Sequence, residues 1–385
     1  MGKKIGRGTI ILVLIAAFIS GYLVKTLLST GASPSEGEVN STANNPAIRQ
    51  YAEALAHIRQ SAVFLESTES VQELSALTLK AYLAQEDPYS DFLTSKEYTR
   101  FKEAGSQAYA GIGLDIEKQR NGDVICYPIP SGPAARAGVQ RGERLLALNG
   151  VPIKGKSIPA VMALAAGAAG TEIILELEDG KGLRRQLALT RALISFPAVS
   201  EYTYRSLQIA KLANFTPGTR KDLDYMLSGW SKTSPVIIDL RGCGGGDFYA
   251  AVDAAMLFLK RDEPIVSVKT RSGTQSYSST TDPISGMGKV FLWQDDLTAS
   301  AAEIFVAALV ENGRATSIGR PTAGKGTRQD VIELTNGAAL ILTTGYLITP
   351  RGVHFDGQGL APTYLIQQQP ANTDDFFDRT APLVN

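Results

Sequence analysis

Residues 236–246 read Val-Ile-Ile-Asp-Leu-Arg-Gly-Cys-Gly-Gly-Gly. The first five, apolar except for Asp239, have the length and composition of a short buried strand. Three successive glycines then free the backbone for a tight turn, and residues 250–259 have helical character. A strand that enters a glycine turn and leaves as a helix is a building unit of α/β cores. The alternation extends in both directions. Residues 207–215 read as a strand and 220–230 as an amphipathic helix; residues 290–293 read as a strand and 301–310 as a helix. Residues 194–370 are therefore expected to form a mixed α/β core. The glycine turn can also offer backbone N–H groups to a developing oxyanion, although an ordinary strand-to-helix turn has the same signature.

Upstream the texture changes twice. Residues 106–193 are glycine-rich with short β-type runs at 112–116, 124–129, 144–148 and 172–177, and helical stretches near 134–137 and 157–164. They are expected to form a small, separately folded module. Residues 46–105 carry apolar side chains at helical spacing, among them Ile48, Tyr51, Leu55 and Ile58, until Pro88 interrupts. Before them, residues 29–45 (STGASPSEGEVNSTANN) read as a flexible tether.

Residues 1–28 open with Lys3, Lys4 and Arg7, then run uncharged and mostly apolar from Gly8 to Val24, with Lys25 before Leu27 and Leu28. A positive flank before an apolar run inserts into a membrane and leaves the remainder exported. Cleaved signal and uncleaved anchor both fit. The anchor is preferred, because residues 8–28 supply the roughly 20 residues a span needs if Lys25 snorkels to the interface. Residues 371–385 are taken as a tail.

The 385 residues hold 38 basic and 38 acidic side chains, two His and two Cys. Zero net charge provides no field for nucleic acid. Two His and two Cys cannot furnish several zinc sites or a disulfide scaffold. They also restrict Ser-His or Cys-His chemistry to His57 and His354. His57, on the first helix, reads more naturally as a surface residue.

Three stretches carry chemistry. Gly319-Arg-Pro-Thr-Ala-Gly324-Lys325-Gly326-Thr327 has the spacing of a phosphate-binding loop. Such a loop requires a helix directly after the lysine. Here two β-type runs follow instead, joined by a turn at Asn336-Gly337, so Lys325 needs another task. The glycine turn at 241–246 is the second stretch; its Cys243 has no His nearby in sequence. The third is Thr298-Ala299-Ser300-Ala301-Ala302-Glu303-Ile304, which places a Ser where helix amides are unpaired. A plain N-cap explains it; so does a nucleophile whose oxyanion those amides receive. A Ser nucleophile needs a base, and Lys serves only when burial brings its pKa from about 10.4 to roughly 7–8.

Taken together, these stretches resemble the C-terminal processing (tail-specific) proteases, serine peptidases with a Ser-Lys dyad. The resemblance spans nearly all of residues 46–370. Asp87-Pro-Tyr-Ser-Asp-Phe-Leu93 is similar to the segment closing that family's helical region. Tyr109-Ala-Gly-Ile-Gly-Leu114 and Ser131-Gly-Pro-Ala-Ala-Arg-Ala-Gly-Val-Gln-Arg-Gly142 are similar to its PDZ domain. Asp239 to Gly246, Thr298 to Ile304, Gly324 to Gln329, Thr349-Pro-Arg-Gly352 and Gly357-Gln-Gly-Leu-Ala-Pro362 follow in the family's order.

The resemblance implies a multi-domain α/β protein: an N-terminal helical region, a β-rich PDZ module and a mixed α/β peptidase core of crotonase/Clp-like type. It implies Ser300 as nucleophile, Lys325 as base and Gln329 orienting that lysine. The amides of Gly246 and Ala301 would form the oxyanion hole, and Gly111, Ile112, Gly113 and Leu114 the PDZ loop that takes a substrate's terminal carboxylate. Exported proteins with unstructured C-terminal tails are the implied substrates, in the periplasm or cell envelope. No cofactor, metal or nucleic acid is called for, and an adaptor or a second copy is left open as a partner. The chain departs from the family pattern at Thr298, Ala302, Cys243, Glu143 and Ala361-Pro-Thr363; none removes the dyad. An inactive tail-binding PDZ scaffold and a nucleotide-binding protein are the alternatives. A Cys126–Cys243 disulfide would couple the PDZ module to the glycine turn.

Overall fold

The computed structural model describes residues 44–63, 70–104, 110–119, 121–129, 132–193, 197–205, 207–231, 234–367 and 372–384. The expected anchor at residues 8–28 and most of the tether lie outside these. Among the described residues, no helix is long and apolar enough to cross a membrane. The chain divides into two compact units. One combines the helical region and the β-rich module with residues 330–343; the other holds residues 195–329 and 344–385.

In the first unit, helix α1 (Pro46–Ser61) starts behind the Asn45 side chain, which accepts from the Ala47 amide at 2.9 Å. Helix α2 (Val71–Glu86) starts in a reciprocal box between Ser70 and Glu73. Pro88 ends the helical run as expected. The chain then forms a short strand, β1 (Asp91–Leu93), before helix α3 (Ser95–Ala104). The β1 strand was not legible locally, because its partner, residues 339–341, lies far downstream.

The β-rich module holds β2 (Ala110–Gly111), β3 (Leu114–Lys118), β4 (Val124–Pro128), helix α4 (Pro133–Arg136), β5 (Arg144–Leu148), β6 (Val151–Pro152), helix α5 (Ile158–Ala165), β7 (Glu172–Glu178), β8 (Arg184–Thr190) and β9 (Ala192–Leu193). Its main antiparallel sheet runs in the order β3-β4-β5-β7-β8, which leaves β3 at an edge beside α5. Alternate residues of β7 (Ile173, Leu175, Leu177) point into the core with Val124, Leu145 and Val161. Ser157 caps α5, accepting from the Ala160 amide and donating to Asp91 at 2.6 Å.

The second unit is built on a six-stranded sheet. Its strands are β10 (Val199–Tyr204), β11 (Leu207–Leu212), β12 (Val236–Asp239), β15 (Val290–Gln294), β16 (Ala315–Gly319) and β19 (Tyr364–Leu365), in that spatial order. Only β10 is antiparallel to its neighbour. Both faces of the parallel part are covered, so β12 and β15 are buried at every residue. Helices α6 (Thr219–Ser228), α7 (Phe248–Ala255) and α8 (Ala301–Glu311) pack on one face against Ile238 and Leu292. The opposite face presents Ile209, Ile237, Phe291 and Trp293. That face is covered by helix α9 (Thr373–Val384), which occupies the stretch expected to be a tail; Phe376 and Thr380 are its buried residues. A hairpin, β13 (Pro264–Thr270) and β14 (Gly273–Ser278), pairs with residues 345–348.

Lys325 is followed not by a helix but by strands β17 (Thr327–Glu333) and β18 (Ala339–Ile348), joined through the Asn336-Gly337 turn, which removes the phosphate-loop context. The two cysteines form no disulfide. Cys126 and Cys243 are fully buried, each within the core of its own unit. Burial, aided by Glu143, pushes the Cys126 thiol up to about 12.

Candidate active site

Strands β12, β15 and β16 are neighbours and parallel, so the loops that follow them emerge at one carboxyl edge. Crevices outside such strand ends are where open α/β sheets bind ligands. The three loops are the glycine turn 240–247, residues 295–300 and residues 320–326. They hold each other through the backbone. The Thr298 hydroxyl donates to Leu240 O, the Ala299 amide to Cys243 O, and the Ala323 amide to Thr298 O, each at 3.0 Å. The Gly242 amide donates to the Asp295 carboxylate at 2.9 Å. Cys243 thus contributes its carbonyl to the frame, while its side chain sits in the core.

Ser300 has φ 54° and ψ −118°. A non-glycine residue there is strained by about 1–3 kcal/mol and persists only where its surroundings enforce it. The enforcing group is Glu303, which no candidate residue anticipated. One carboxylate oxygen, Oε2, accepts from the Ser300 amide at 2.8 Å and from the Lys325 amide at 2.9 Å. The other, Oε1, accepts from the Gly324 amide at 2.8 Å and from the Thr322 hydroxyl. Glu303 has no exposed surface. Burial raises its pKa; the four donors oppose that shift without cancelling it. The signal for it was present as Ser300-Ala-Ala-Glu303, a Ser-x-x-Glu capping pattern. Its reach to the Lys325 turn was not in the sequence.

The Lys325 turn is held from its far side too. Gly326 N donates to Asp356, Gly357 N to Gly324 O, and Leu347 N to Gly326 O, at 3.0, 2.7 and 2.8 Å. A Cβ on Gly324 would lie 2.7 Å from Gly359 N, and one on Gly326 2.6 Å from Asp356 N. The two glycines flanking the lysine are therefore explained by backbone contact with the 356–359 turn rather than by a phosphate. Lys325 is half-buried, as is Ser300. Gln329 lies on β17 and donates from Nε2 to the Thr327 hydroxyl at 2.8 Å.

The glycine turn approaches Ser300 most closely at Gly245. A Cβ there would lie 2.9 Å from Ser300 Cβ and 3.0 Å from the Ala301 nitrogen. Gly246 packs against Phe215, where a Cβ would meet the carbonyl oxygen at 2.3 Å. The turn's ladder uses Phe215 N to Gly245 O and Asp247 N to Phe215 O, and does not use the Gly246 amide. At the start of α8 the Ala302 and Glu303 amides bond back to Ala299 O and Ser300 O, and the Ala301 amide takes no part. The glycine turn at Gly245 and the start of α8 at Ala301 thus meet beside Ser300, an arrangement in which backbone amides can receive a developing oxyanion. His354 is exposed and packs edge-on against Tyr346, and His57 lies exposed on α1.

In the first unit, Gly111, Ile112, Gly113 and Leu114 lead into edge strand β3. Gly113 has φ 65°, and a Cβ on it would lie 2.9 Å from Gly132 Cα. The carbonyls of Ile112 and Gly113 accept from the Ala134 and Ile129 amides at 2.7 and 2.9 Å, so the loop's acceptors are used within the module.

Residues 207–366 match peptidase family S41, and residues 124–179 match the PDZ domain. The chain is similar to the carboxy-terminal processing protease CtpA of Bacillus subtilis (strain 168), at 27% identity over 354 residues, covering 91% of this chain and 75% of that protein. It is similar to a carboxyl-terminal-processing protease of Picosynechococcus sp. (strain ATCC 27264 / PCC 7002 / PR-6), at 28% identity, covering 79% of this chain and 74% of the relative. The solved structure of a photosystem II D1 C-terminal processing protease shares the fold, with a TM-score of 0.71 at 22% identity over 96% of this chain and 97% of that one. The chain is thus a serine peptidase with a PDZ domain. Over most of its length it is similar to C-terminal processing proteases, and its residues 207–366 match peptidase family S41.

Proposed function

We propose that this peptidase cleaves exported proteins near their C-termini, with Ser300 as nucleophile and Lys325 as general base. The observation that carries this is the shared Glu303 oxygen, which ties the backbones of the two residues together at 2.8 and 2.9 Å. Ser300 Oγ attacks the scissile carbonyl while its proton passes to the neutral Lys325 amine. The amides of Gly246 and Ala301 receive the oxyanion. The C–N bond then breaks, with the lysine proton going to the leaving amine. Water attacks the acyl-enzyme, gives its proton to Lys325, and Ser300 regains a proton as the new carboxyl group departs. Gln329 holds the lysine side chain.

The PDZ module captures the substrate's tail. The tail adds as a strand to β3 beside α5, and its terminal carboxylate sits on the loop at Gly111 to Leu114. Edge position, the left-handed Gly113 and its contact with Gly132 support this. The positive flank and the apolar run at residues 8–28 support export and anchoring.

The test is cleavage of a folded reporter with an unstructured apolar tail. Ser300→Ala and Lys325→Ala should each abolish cleavage while keeping the wild-type circular dichroism. Retention of activity in both would refute the dyad. Tail binding by the wild type without turnover would instead make the chain a PDZ scaffold.

A further inference from the structure

We infer that helix α9 is a positioning element of the glycine turn, acting through Phe376 and Thr373 on Arg241. The inference rests on the proposed oxyanion role of that turn.

Arg241 opens the turn, directly before Gly242, and its guanidinium sits in a built cage. Nε and Nη2 form a bidentate pair with Asp239, each at 2.9 Å. The Tyr202 hydroxyl bridges Asp239 and Arg241, and Lys211 holds the Arg241 carbonyl. The bidentate pair holds one edge of the guanidinium and leaves its two faces to be packed. Two rings pack on it: Cζ lies 5.0 Å from the Trp293 ring centre and 4.6 Å from that of Phe376. Trp293 belongs to the sheet that carries the site. Phe376 does not; it arrives on α9, with the Thr373 hydroxyl, which accepts from Nη1 at 3.3 Å.

The helix is itself seated on the same sheet. Thr380 accepts from Trp293 Nε1 at 2.9 Å, and Phe376 is buried among Ile209, Ile237 and Ile318. Arg205 pairs with Asp374 and Asp378, which fixes the helix along its exposed side. A shift of α9 therefore reaches Arg241 directly. From Arg241 it passes through Gly242 and Cys243 to Gly245, which has no clearance against Ser300 and Ala301. Phe376 and Thr373 touch no reacting atom, so both are positioning residues.

The test uses the full chain. Phe376→Met keeps the volume and removes the ring. It should lower kcat at least about tenfold, the scale expected for a site displaced by a fraction of an ångström. KM should stay within about twofold, and labelling of Ser300 by a fluorophosphonate, which also needs the oxyanion amides, should slow in parallel. Thr373→Val, which leaves the core untouched, should show the same pattern at smaller size. Ile366→Ala opens a cavity in the same cluster without reaching Arg241, and controls for stability alone. In an Arg241→Lys background, Phe376→Met should add little further loss. Wild-type kcat in both α9 variants would overturn the inference. So would an equal kcat loss in Ile366→Ala at matched melting temperature, or full additivity with Arg241→Lys. Ser300→Ala separates the two readings: cleavage surviving there removes the proposed mechanism, whereas a dead Ser300→Ala beside an unimpaired Phe376→Met removes only the role of α9.

Discussion

Replacing Glu303 by Gln changes almost no volume and tests whether one carboxylate assembles the site. The carboxylate receives four donors: the amides of Ser300 and Lys325 on Oε2, and the Gly324 amide and Thr322 hydroxyl on Oε1. Gln offers one accepting oxygen and one donating NH2. In its better orientation, the oxygen keeps Ser300 and Lys325, and the Thr322 hydroxyl turns to accept from the NH2. The Gly324 amide then faces a donor. One orphaned buried amide costs about 1–3 kcal/mol, and the retained bonds lose their charge assistance. For a unit of this size that lowers Tm by roughly 2–12 °C, at about 2–4 °C per kcal/mol. In the other orientation Ser300 and Lys325 both lose their acceptor, and the strained backbone at Ser300 loses the group that enforces it. Either way the Lys325 turn moves relative to Ser300, and a displacement near 1 Å costs about 10²-fold in rate. Steady-state kinetics on a tailed substrate should therefore show Glu303→Gln lowering kcat by roughly 10–10²-fold with KM little changed, alongside the Tm loss in calorimetry. Wild-type kcat and Tm in this variant would refute the bridging role.

Other outcomes follow from the same geometry. Gly245→Ala would drive a methyl to within 2.8 Å of Ala299 O and 2.9 Å of Ser300 Cβ; it should abolish turnover while tail binding persists, as measured by kinetics and by fluorescence anisotropy of a labelled tail peptide. Burial opposes ionisation of Asp239, but Arg241 and Lys211 outweigh it and hold its pKa below the usual carboxylate range. Its stabilisation is therefore present above the unfolded value of about 3.9 and is lost as pH falls through the depressed folded value. Asp239→Asn should flatten the acid limb of a Tm–pH curve and lower Tm at neutral pH. The loss should stay below the roughly 3–5 kcal/mol of a fully buried pair, because Lys211 and Arg241 keep some solvent. Gly113→Val, strained at φ 65° and pressed on Gly132, should raise KM for tailed substrates and leave kcat on short peptides unchanged. An unchanged tail affinity would remove the proposed role of that loop.

Much of the architecture was legible in local patterns. The run at 236–240, the glycine turn and the helix after it marked the α/β unit, and the Asn336-Gly337 turn between two β-type runs excluded a phosphate loop. The eight motifs in order brought Ser300, Lys325, Gln329 and the PDZ loop into view as candidates. Strand β1 and helix α9 were not legible, because each is defined by a distant partner. The three residues Asp91–Leu93 become a strand only on meeting residues 339–341. Helix α9 is specified by what Phe376 and Thr380 bury against on the sheet.

The sequence by itself determined the residue types: a Ser at a helix start, a Lys in a glycine turn, glycines where the backbone must turn, and too few histidines for a Ser-His base to be the natural choice. Tertiary structure decided which of them meet. Parallel pairing of β12, β15 and β16 delivers three loops, distant in sequence, to one sheet edge. A buried carboxylate then selects their geometry, because its four hydrogen bonds can be made only when the Ser300 and Lys325 turns stand together. Local pattern cannot encode that condition: the cost of leaving a buried charge unsatisfied is felt only once the chain has closed around it.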